Sequence, residues 1–280
     1  MRLLSGPRPE YVDRCLTCGS AFFNFGDGRA VSHNDQYQDD LAYQRYLLGI
    51  NTASVAERNR EALDRLKELL YGTEEPRLFD VGAGSGDFLA LARSKGFVVG
   101  GNEISPPAIE ACRHRHGIDL AMGDDLGVLA ANSPKYDAVT MWCIIAHVDD
   151  PQHLLSGVRM LLRSGGFLFF STPRYCLIDY FSLLLMRLTG NRLRSVFDRR
   201  INQAHRRQYS VQGIEALLGR AGFIPLSVAP SIGYGLHMER YLSAVGVPRF
   251  IAAPVGRGLE YLAKSGLTPR NVLNVYAQAT

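Results

Sequence analysis

Apolar and polar positions alternate along this chain with two different periods, and the switches between them lay out an expected fold. From Asn51 to Leu70 the apolar residues Val55, Leu63, Leu66, Leu69 and Leu70 recur between charged positions, which predicts an amphipathic helix stopped at Gly72. Pro76 then precedes a short run, Leu78–Val81, that reads as a buried parallel strand. Strands and helices follow in turn. A helix is expected over Asp87–Ser94, a strand over Phe97–Gly101, and a helix over Ser105–His114 with Pro106 and Pro107 in its first turn. A short strand at Asp119–Met122, a strand at Tyr136–Cys143 and a helix over Pro151–Leu162 come next. Gly165-Gly166 turns the chain into an apolar strand at Phe167–Ser171. This rhythm predicts a Rossmann-like, doubly wound α/β fold: a mostly parallel sheet with helices on both faces.

The rhythm breaks twice. Between Pro173 and Arg207 lies an apolar helix, Ile178–Leu188, followed by an arginine-rich stretch. A helix over Val211–Ala221, ended by Gly222, restores the pattern, and Phe223–Val228 with Leu273–Ala277 predicts a hairpin-like antiparallel edge. Gly233 to Leu267 is punctuated by glycine and proline and yields no clear element. The first fifty residues also stand apart. The expected organisation is a small N-terminal appendage at 1–50 and a domain at 51–280, with 173–207 inserted over the carboxyl edge of the sheet.

Composition changes this picture little. At 280 residues, 46% hydrophobic and 21% charged, the chain reads as an ordinary globular protein able to bury a sizeable core. No apolar run approaches the roughly 18 residues of a membrane span, and residues 1–7 lack a signal-peptide core. Five scattered cysteines point to a reducing, cytoplasmic setting. The net charge of +4 is local in origin. Seven arginines (187, 192, 194, 199, 200, 206 and 207) face one acid, Asp198, between residues 187 and 207, a local charge of +6. An apolar helix beside a basic segment suits an anionic or amphiphilic small-molecule partner, or peripheral membrane contact. Nucleic acid is the weaker reading, since no recognised RNA-binding module accompanies the arginines. Oligomeric state is not legible.

The candidate chemistry gathers at Asp80-Val81-Gly82-Ala83-Gly84-Ser85-Gly86-Asp87. A strand, a glycine turn and a helix N-terminus together make a nucleotide-binding corner. In the dinucleotide fingerprint G-x-G-x-x-G the third glycine lets the helix present its N-terminus to a pyrophosphate. Here that position is Asp87, whose charge would repel a diphosphate, and the glycine falls one residue earlier at Gly86. S-adenosylmethionine, which carries no phosphate, fits such a corner. Glu103 ends the second strand 23 positions after Asp80, where a carboxylate can accept hydrogen bonds from both ribose hydroxyls. Gly123-Asp124-Asp125-Leu126 follows the third strand, where an acid can accept from an adenine amino group. Trp142 to Pro151 closes the fourth strand at the edge where open α/β sheets bind ligands.

With these blocks in order, residues 51 to 228 resemble the class I S-adenosylmethionine-dependent methyltransferases, and most of all their small-molecule branch, which includes the ubiquinone-pathway O-methyltransferases. The resemblance rests on D-V-G-A-G-S-G, G-N-E-I-S, G-D-D-L, H-V-D-D-P, L-R-S-G-G and Y-S-V-Q-G-I-E-A-L-L-G-R-A-G-F. It implies that Asp80, Gly82, Ala83, Gly84 and Gly86 surround the methionine moiety. Glu103 would hold the ribose, with Ile104 against the adenine. Asp124 or Asp125, with Leu126, would flank the base, and the backbone at Trp142 and Cys143 would meet the amino-acid part. Two departures stand out: Ala146-His147 replaces the family's frequent Glu-His, and Asn102 stands where an apolar residue is preferred.

His147 and His205 are the candidate general bases, with His237 behind them, each also readable as a capping or surface histidine. Asp87 is equally readable as a helix-cap residue. Cys15-Leu16-Thr17-Cys18-Gly19 is half a zinc site, with His33 the nearby extra ligand; with no second CxxC in the chain, no bound metal is expected. This knuckle, followed by Tyr37, Tyr43 and Tyr46 in a connector over Asn34–Leu48, resembles the N-terminal zinc region of some sugar and natural-product methyltransferases, where it is usually doubled. The tyrosines read as packing or as a lid. Four functions stay open: methyl transfer to a small molecule, a non-catalytic cofactor- or partner-binding module, an NAD-dependent oxidoreductase and an RNA methyltransferase.

Overall fold

In a computed structural model the chain is described for residues 11–24, 53–189, 205–232, 239, 242–243, 246–265 and 270–280. The elements begin with β1 (Tyr11–Arg14), β2 (Ala21–Asn24), α1 (Ala53–Leu69), β3 (Arg77–Val81) and α2 (Asp87–Ser94). They continue with β4 (Val98–Glu103), α3 (Pro106–His116), β5 (Ala121–Met122), α4 (Leu126–Ala131) and β6 (Tyr136–Trp142). A 3-10 turn at Ile144–Ala146 leads to α5 (Pro151–Leu161) and β7 (Leu162–Pro173). The remainder is α6 (Leu177–Leu188), β8 (Arg207–Gln208), α7 (Val211–Arg220), β9 (Phe223–Ser231), α8 (Arg249–Lys264) and β10 (Val272–Ala279).

Seven strands form one sheet in the order β5-β4-β3-β6-β7-β10-β9. The first five are parallel, and β10 runs antiparallel to both β7 and β9. The predicted hairpin-like edge is therefore present, with β10 on its inner side. Alternation along the strands divides the core into two layers. Phe79, Val81, Val139, Met141, Leu168 and Phe170 face α4, α5 and α7. Leu78, Ala138 and Phe169 face α1, α2 and α3, where Leu63, Leu66, Leu89 and Cys112 are buried. β6 is the central strand, and its residues 136–141 are all buried, which is why it reads as an uninterrupted run.

Local chemistry sets several boundaries. Asp150 accepts from the N–H groups of Gln152 and His153 and, with Pro151 next, opens α5. Ser210 does the same for α7 through Gly213. Gly117, left-handed at φ 61°, ends α3. Two expectations shift. β7 does not begin after Gly165-Gly166 but carries them within it as a bulge: Tyr136 pairs with Leu162 and Ala138 with Phe167. The unassigned stretch before β10 contains α8, which holds Pro254 inside it.

The N-terminal knuckle is the turn of the β1–β2 hairpin. Gly19, at φ 74°, donates to the Cys15 carbonyl, and both thiols are free. β8 pairs antiparallel with β2, giving a second sheet in the order β1-β2-β8. Ser210 N–H donates to Ser20 Oγ at 3.1 Å, and Ser210 Oγ donates to the Cys18 carbonyl. Val12, Ala21 and Phe23 pack with Leu183 of α6 beneath this sheet. His33, the Asn34–Leu48 connector with its three tyrosines, His237 and Arg192, Arg194, Arg199 and Arg200 lie outside the described residues. Among the described residues no helix is long and apolar enough to cross a membrane.

Candidate active site

The chain leaves β3 for β4 on one side and returns to β6 on the other, so the carboxyl ends of β3 and β6 diverge at a switch point. The glycine corner sits there. Gly82, Gly84 and Gly86 have φ of 68°, 56° and 77°, a left-handed region that glycine enters without steric cost. Gly86 is the N-cap of α2 and supplies no side chain to its first turn. A Cβ on Gly86 would collide with the Cys112 sulfur of α3.

Glu103 ends β4 with its carboxylate folded back on this corner. Oε2 accepts from Gly84 N–H at 2.8 Å, and Oε1 accepts from Ile104 N–H at 2.8 Å and Ser105 N–H at 3.1 Å. The carboxylate has about four acceptor positions, so one is left for a ligand. Asn102, the departure from the family pattern, has a structural explanation. Its Oδ1 accepts from Gly82 N–H at 3.4 Å and its Nδ2 donates to the Gly123 carbonyl at 2.7 Å, tying the glycine corner to the turn after β5.

Asp80 is 1% exposed and accepts from Thr140 Oγ1 at 2.6 Å. Burial pushes its carboxyl up to about 8; the Thr140 bond opposes this and the Glu103 charge adds to it. A carboxyl raised above its unfolded value of about 3.9 stabilises the fold fully below that value and loses the contribution as pH climbs through its folded value. Urea unfolding is therefore expected to show stability falling between about pH 4 and about pH 8. Asp80→Asn should flatten that decline relative to the wild type, and parallel pH profiles for the two proteins would contradict it.

The remaining sequence candidates are placed as follows. Asp87 is not the cap but the first residue of α2. Its carboxylate meets Arg115 at 3.0 Å, His116 Nε2 at 2.9 Å and Ser85 Oγ at 2.9 Å, so its charge is partly offset by partners within the protein. Ala83 is half-buried and donates its N–H to the Asn102 carbonyl. Asp125 caps α4 through Gly127 and Val128 N–H, Leu126 is buried against the Gly157 position of α5, and both acids of that turn, Asp124 and Asp125, are exposed. Trp142 packs edge-on to Phe88 and Phe169, with the Arg58 guanidinium 4.3 Å from its ring centre.

Cys143, at φ 65°, is held in the left-handed region by its N–H bond to the Ser171 carbonyl at 2.9 Å. Its sulfur lies 3.3 Å from His205 Nε2, and the rings of His147 and His205 are 4.7 Å apart. Burial pushes the thiol up to about 12, partly offset by Arg58. The structure thus joins His205 to Cys143 and His147 at the end of β6. Cys15 lies in the hairpin turn; bonds from the backbone of Cys18 and Thr17 pull its thiol below the ordinary range. Sequence reasoning missed Arg58, Asn102 and Thr140 as parts of the site. Only Asn102 left a signal, as an unexpected polar residue at a strand end. A shallow cleft lined by Tyr71, Thr73 and Pro76 lies at the amino end of β3 and carries none of these residues.

A seven-stranded sheet with one reversed strand near its edge, and a glycine corner facing an acid at the end of the next strand, define the class I S-adenosylmethionine-dependent methyltransferase fold. The chain belongs to the methyltransferase domain family, whose sequence model matches residues 54–228. Among curated proteins it is 30% identical over 122 residues to the ubiquinone biosynthesis O-methyltransferase of Nitrosomonas europaea, covering 41% of this chain and 52% of that one. The chain spans about half the length of the curated relatives it matches. Among solved structures it resembles the magnesium protoporphyrin IX methyltransferase of Synechocystis with bound S-adenosylhomocysteine, at a TM-score of 0.53 and 15% identity over 88% of this chain and 98% of that one. The [4+2]-cyclase SpnF matches at a TM-score of 0.56 and 15% identity over 88% of this chain and 95% of that one. At such identities the likeness concerns the fold alone, and folds of this kind host more than one chemistry.

Proposed function

We propose that this chain transfers a methyl group from S-adenosylmethionine to a hydroxyl of a small-molecule acceptor. The observation that carries the reading is the Glu103 carboxylate, buried at the switch point and bonded to the glycine corner, with an acceptor position left for the ribose. Asp80, Gly82, Ala83, Gly84 and Gly86 would line the methionine end, with Ile104, Asp124, Asp125 and the Leu126 backbone around the adenine. Trp142 and Cys143 backbone atoms would meet the amino-acid part. Arg58, stacked on Trp142, is a cation suited to the cofactor's carboxylate.

The chemistry asked of the protein is modest. Methyl transfer is an in-line displacement, and most of the rate comes from holding the acceptor oxygen about 3 Å from the methyl carbon. A base is needed only for an acceptor proton of high pKa, and His147 and His205 stand at the edge of β6 where one would act. The reading treats 1–50 as an appendage, 51–280 as the catalytic domain and 173–207 as the cover of the acceptor side. An amphiphilic or anionic acceptor is supported by Phe181 and Leu188 of α6, which are 60% and 76% exposed, and by the arginines that follow in sequence.

One observation favours a dinucleotide as the alternative ligand. Asp87 is paired with Arg115 and His116, so its charge opposes a diphosphate less than the sequence implied. The test of function is transfer of label from methyl-labelled S-adenosylmethionine to fractionated cell extract. Label in an organic-soluble small-molecule fraction is expected; label confined to RNA, or none in any fraction, would contradict the proposal.

A further inference from the structure

The strongest feature outside cofactor recognition is the cluster at the carboxyl end of β6. Cys143 Sγ and one ring nitrogen each from His147 and His205 all lie within 4.8 Å of one another, and all three residues are half-buried. Two segments far apart in sequence are fastened together to make it. Arg206 N–H donates to the Ala146 carbonyl at 2.8 Å, and Tyr209 Oη donates to the Ile145 carbonyl at 3.1 Å. The 3-10 turn at Ile144–Ala146 brings His147 back beside Cys143. The left-handed backbone of Cys143, fixed by Ser171, aims its sulfur at His205.

We propose that Cys143, His147 and His205 form a zinc site with one open position. One sulfur and two imidazole nitrogens are a donor set that suits zinc and disfavours magnesium or calcium, which take oxygen ligands. Zinc bonds of about 2.3 Å to sulfur and 2.0–2.1 Å to nitrogen place tetrahedral ligand atoms about 3.3–3.6 Å apart. The Cys143–His205 separation of 3.3 Å is about 0.2 Å short of the sulfur–nitrogen value, and the three donor atoms, all within 4.8 Å of one another, would draw to these separations around the ion. Three protein ligands leave the fourth position for an exogenous donor, as in catalytic zinc sites.

That position would take an oxygen of the acceptor, an extension that rests on the methyl-transfer reading above. Coordination lowers the pKa of a bound hydroxyl, whose proton passes to solvent. The oxygen then attacks the methyl carbon, a C–O bond forms as the C–S bond breaks, and the sulfonium leaves as a neutral thioether. In this account His147 and His205 act as metal ligands rather than as bases.

The test uses the full chain carrying Cys15→Ser and Cys18→Ser, which removes the knuckle as a competing thiolate site. Cobalt(II) titration should give one equivalent bound, a sulfur-to-cobalt charge-transfer band and tetrahedral d–d bands. Azide should shift the d–d bands if the fourth position is open. His147→Ala and His205→Ala should each weaken cobalt binding by at least about tenfold, with thermal melts reporting whether each variant is folded. Absence of the charge-transfer band from the double-serine protein overturns the site without needing any further variant. Unchanged affinity in folded His147→Ala and His205→Ala proteins overturns it as well, and d–d bands unmoved by azide overturn the open position. Because the titration uses metal alone, its failure leaves the methyl-donor reading standing.

Discussion

Replacing Glu103 with glutamine is expected to weaken S-adenosylhomocysteine binding roughly 100-fold, about 3 kcal/mol. The loss has two sources. A carboxylate accepts at both oxygens, and here it satisfies Gly84 on one side and Ile104 and Ser105 on the other. An amide offers one acceptor and one donor group, so at least one buried backbone N–H is left facing a donor. The charge-assisted bond proposed to a ribose hydroxyl is lost in addition. Calorimetry on the wild type and Glu103→Gln checks this, with the urea midpoint of each protein as a control for folding. Affinity within threefold of wild type would confine Glu103 to a structural role in the corner.

Gly86→Ala should be the most damaging of the small substitutions at the site, and its effect should appear as lost stability. The left-handed φ of 77° costs a side-chain-bearing residue about 1–2 kcal/mol. The new methyl group would also press on the Cys112 sulfur, an overpacking term of about 1–3 kcal/mol. Together, at about 2–5 kcal/mol and about 2 °C per kcal/mol for a chain of this size, they predict a melting temperature lower by about 4–10 °C. The two terms separate in the double variant. Cys112→Ala removes the sulfur, so Gly86→Ala/Cys112→Ala should recover the packing part while keeping the backbone part. A double variant no more stable than Gly86→Ala would show that the clash contributes nothing. At Gly82 the obstructing atom is the end of the Ile144 side chain, which can turn away, so Gly82→Ala should cost less.

The parts of this fold that were legible in the sequence are those whose cause is local. Leu78–Val81 and Tyr136–Cys143 read as strands because a centrally placed parallel strand is apolar on both faces. The glycine corner read as a corner because three left-handed residues in five leave glycine as the low-cost choice. Glu103 was identified from its distance along the chain to Asp80, which a βαβ unit fixes within narrow limits.

What was hidden depends on partners remote in sequence. β1 and β2 are four residues each, too short to show a period, and β2 pairs with Arg207–Gln208, far along the chain. α8 contains Pro254, Gly256 and Gly258, residues that argue against a helix unless tertiary packing holds it. Asp124 and Asp125 read as candidates to flank the base; that Asp125 also caps α4 was hidden, because no pattern announces a helix of six residues. Cys143 and His205 are 62 positions apart, and nothing local to either predicts their contact. The repulsion assigned to Asp87 was a statement about an isolated carboxylate, whereas α3 delivers Arg115 and His116 to it.

The central claim is that the corner between β3 and β4 holds an adenosine carrying an amino acid rather than a dinucleotide. Titration calorimetry of the unmodified chain with S-adenosylhomocysteine, and in a parallel cell with NADH, tests it directly. The account predicts saturable binding of one S-adenosylhomocysteine per chain with micromolar or tighter Kd and no measurable heat with NADH. Saturable NADH binding without any response to S-adenosylhomocysteine would contradict it.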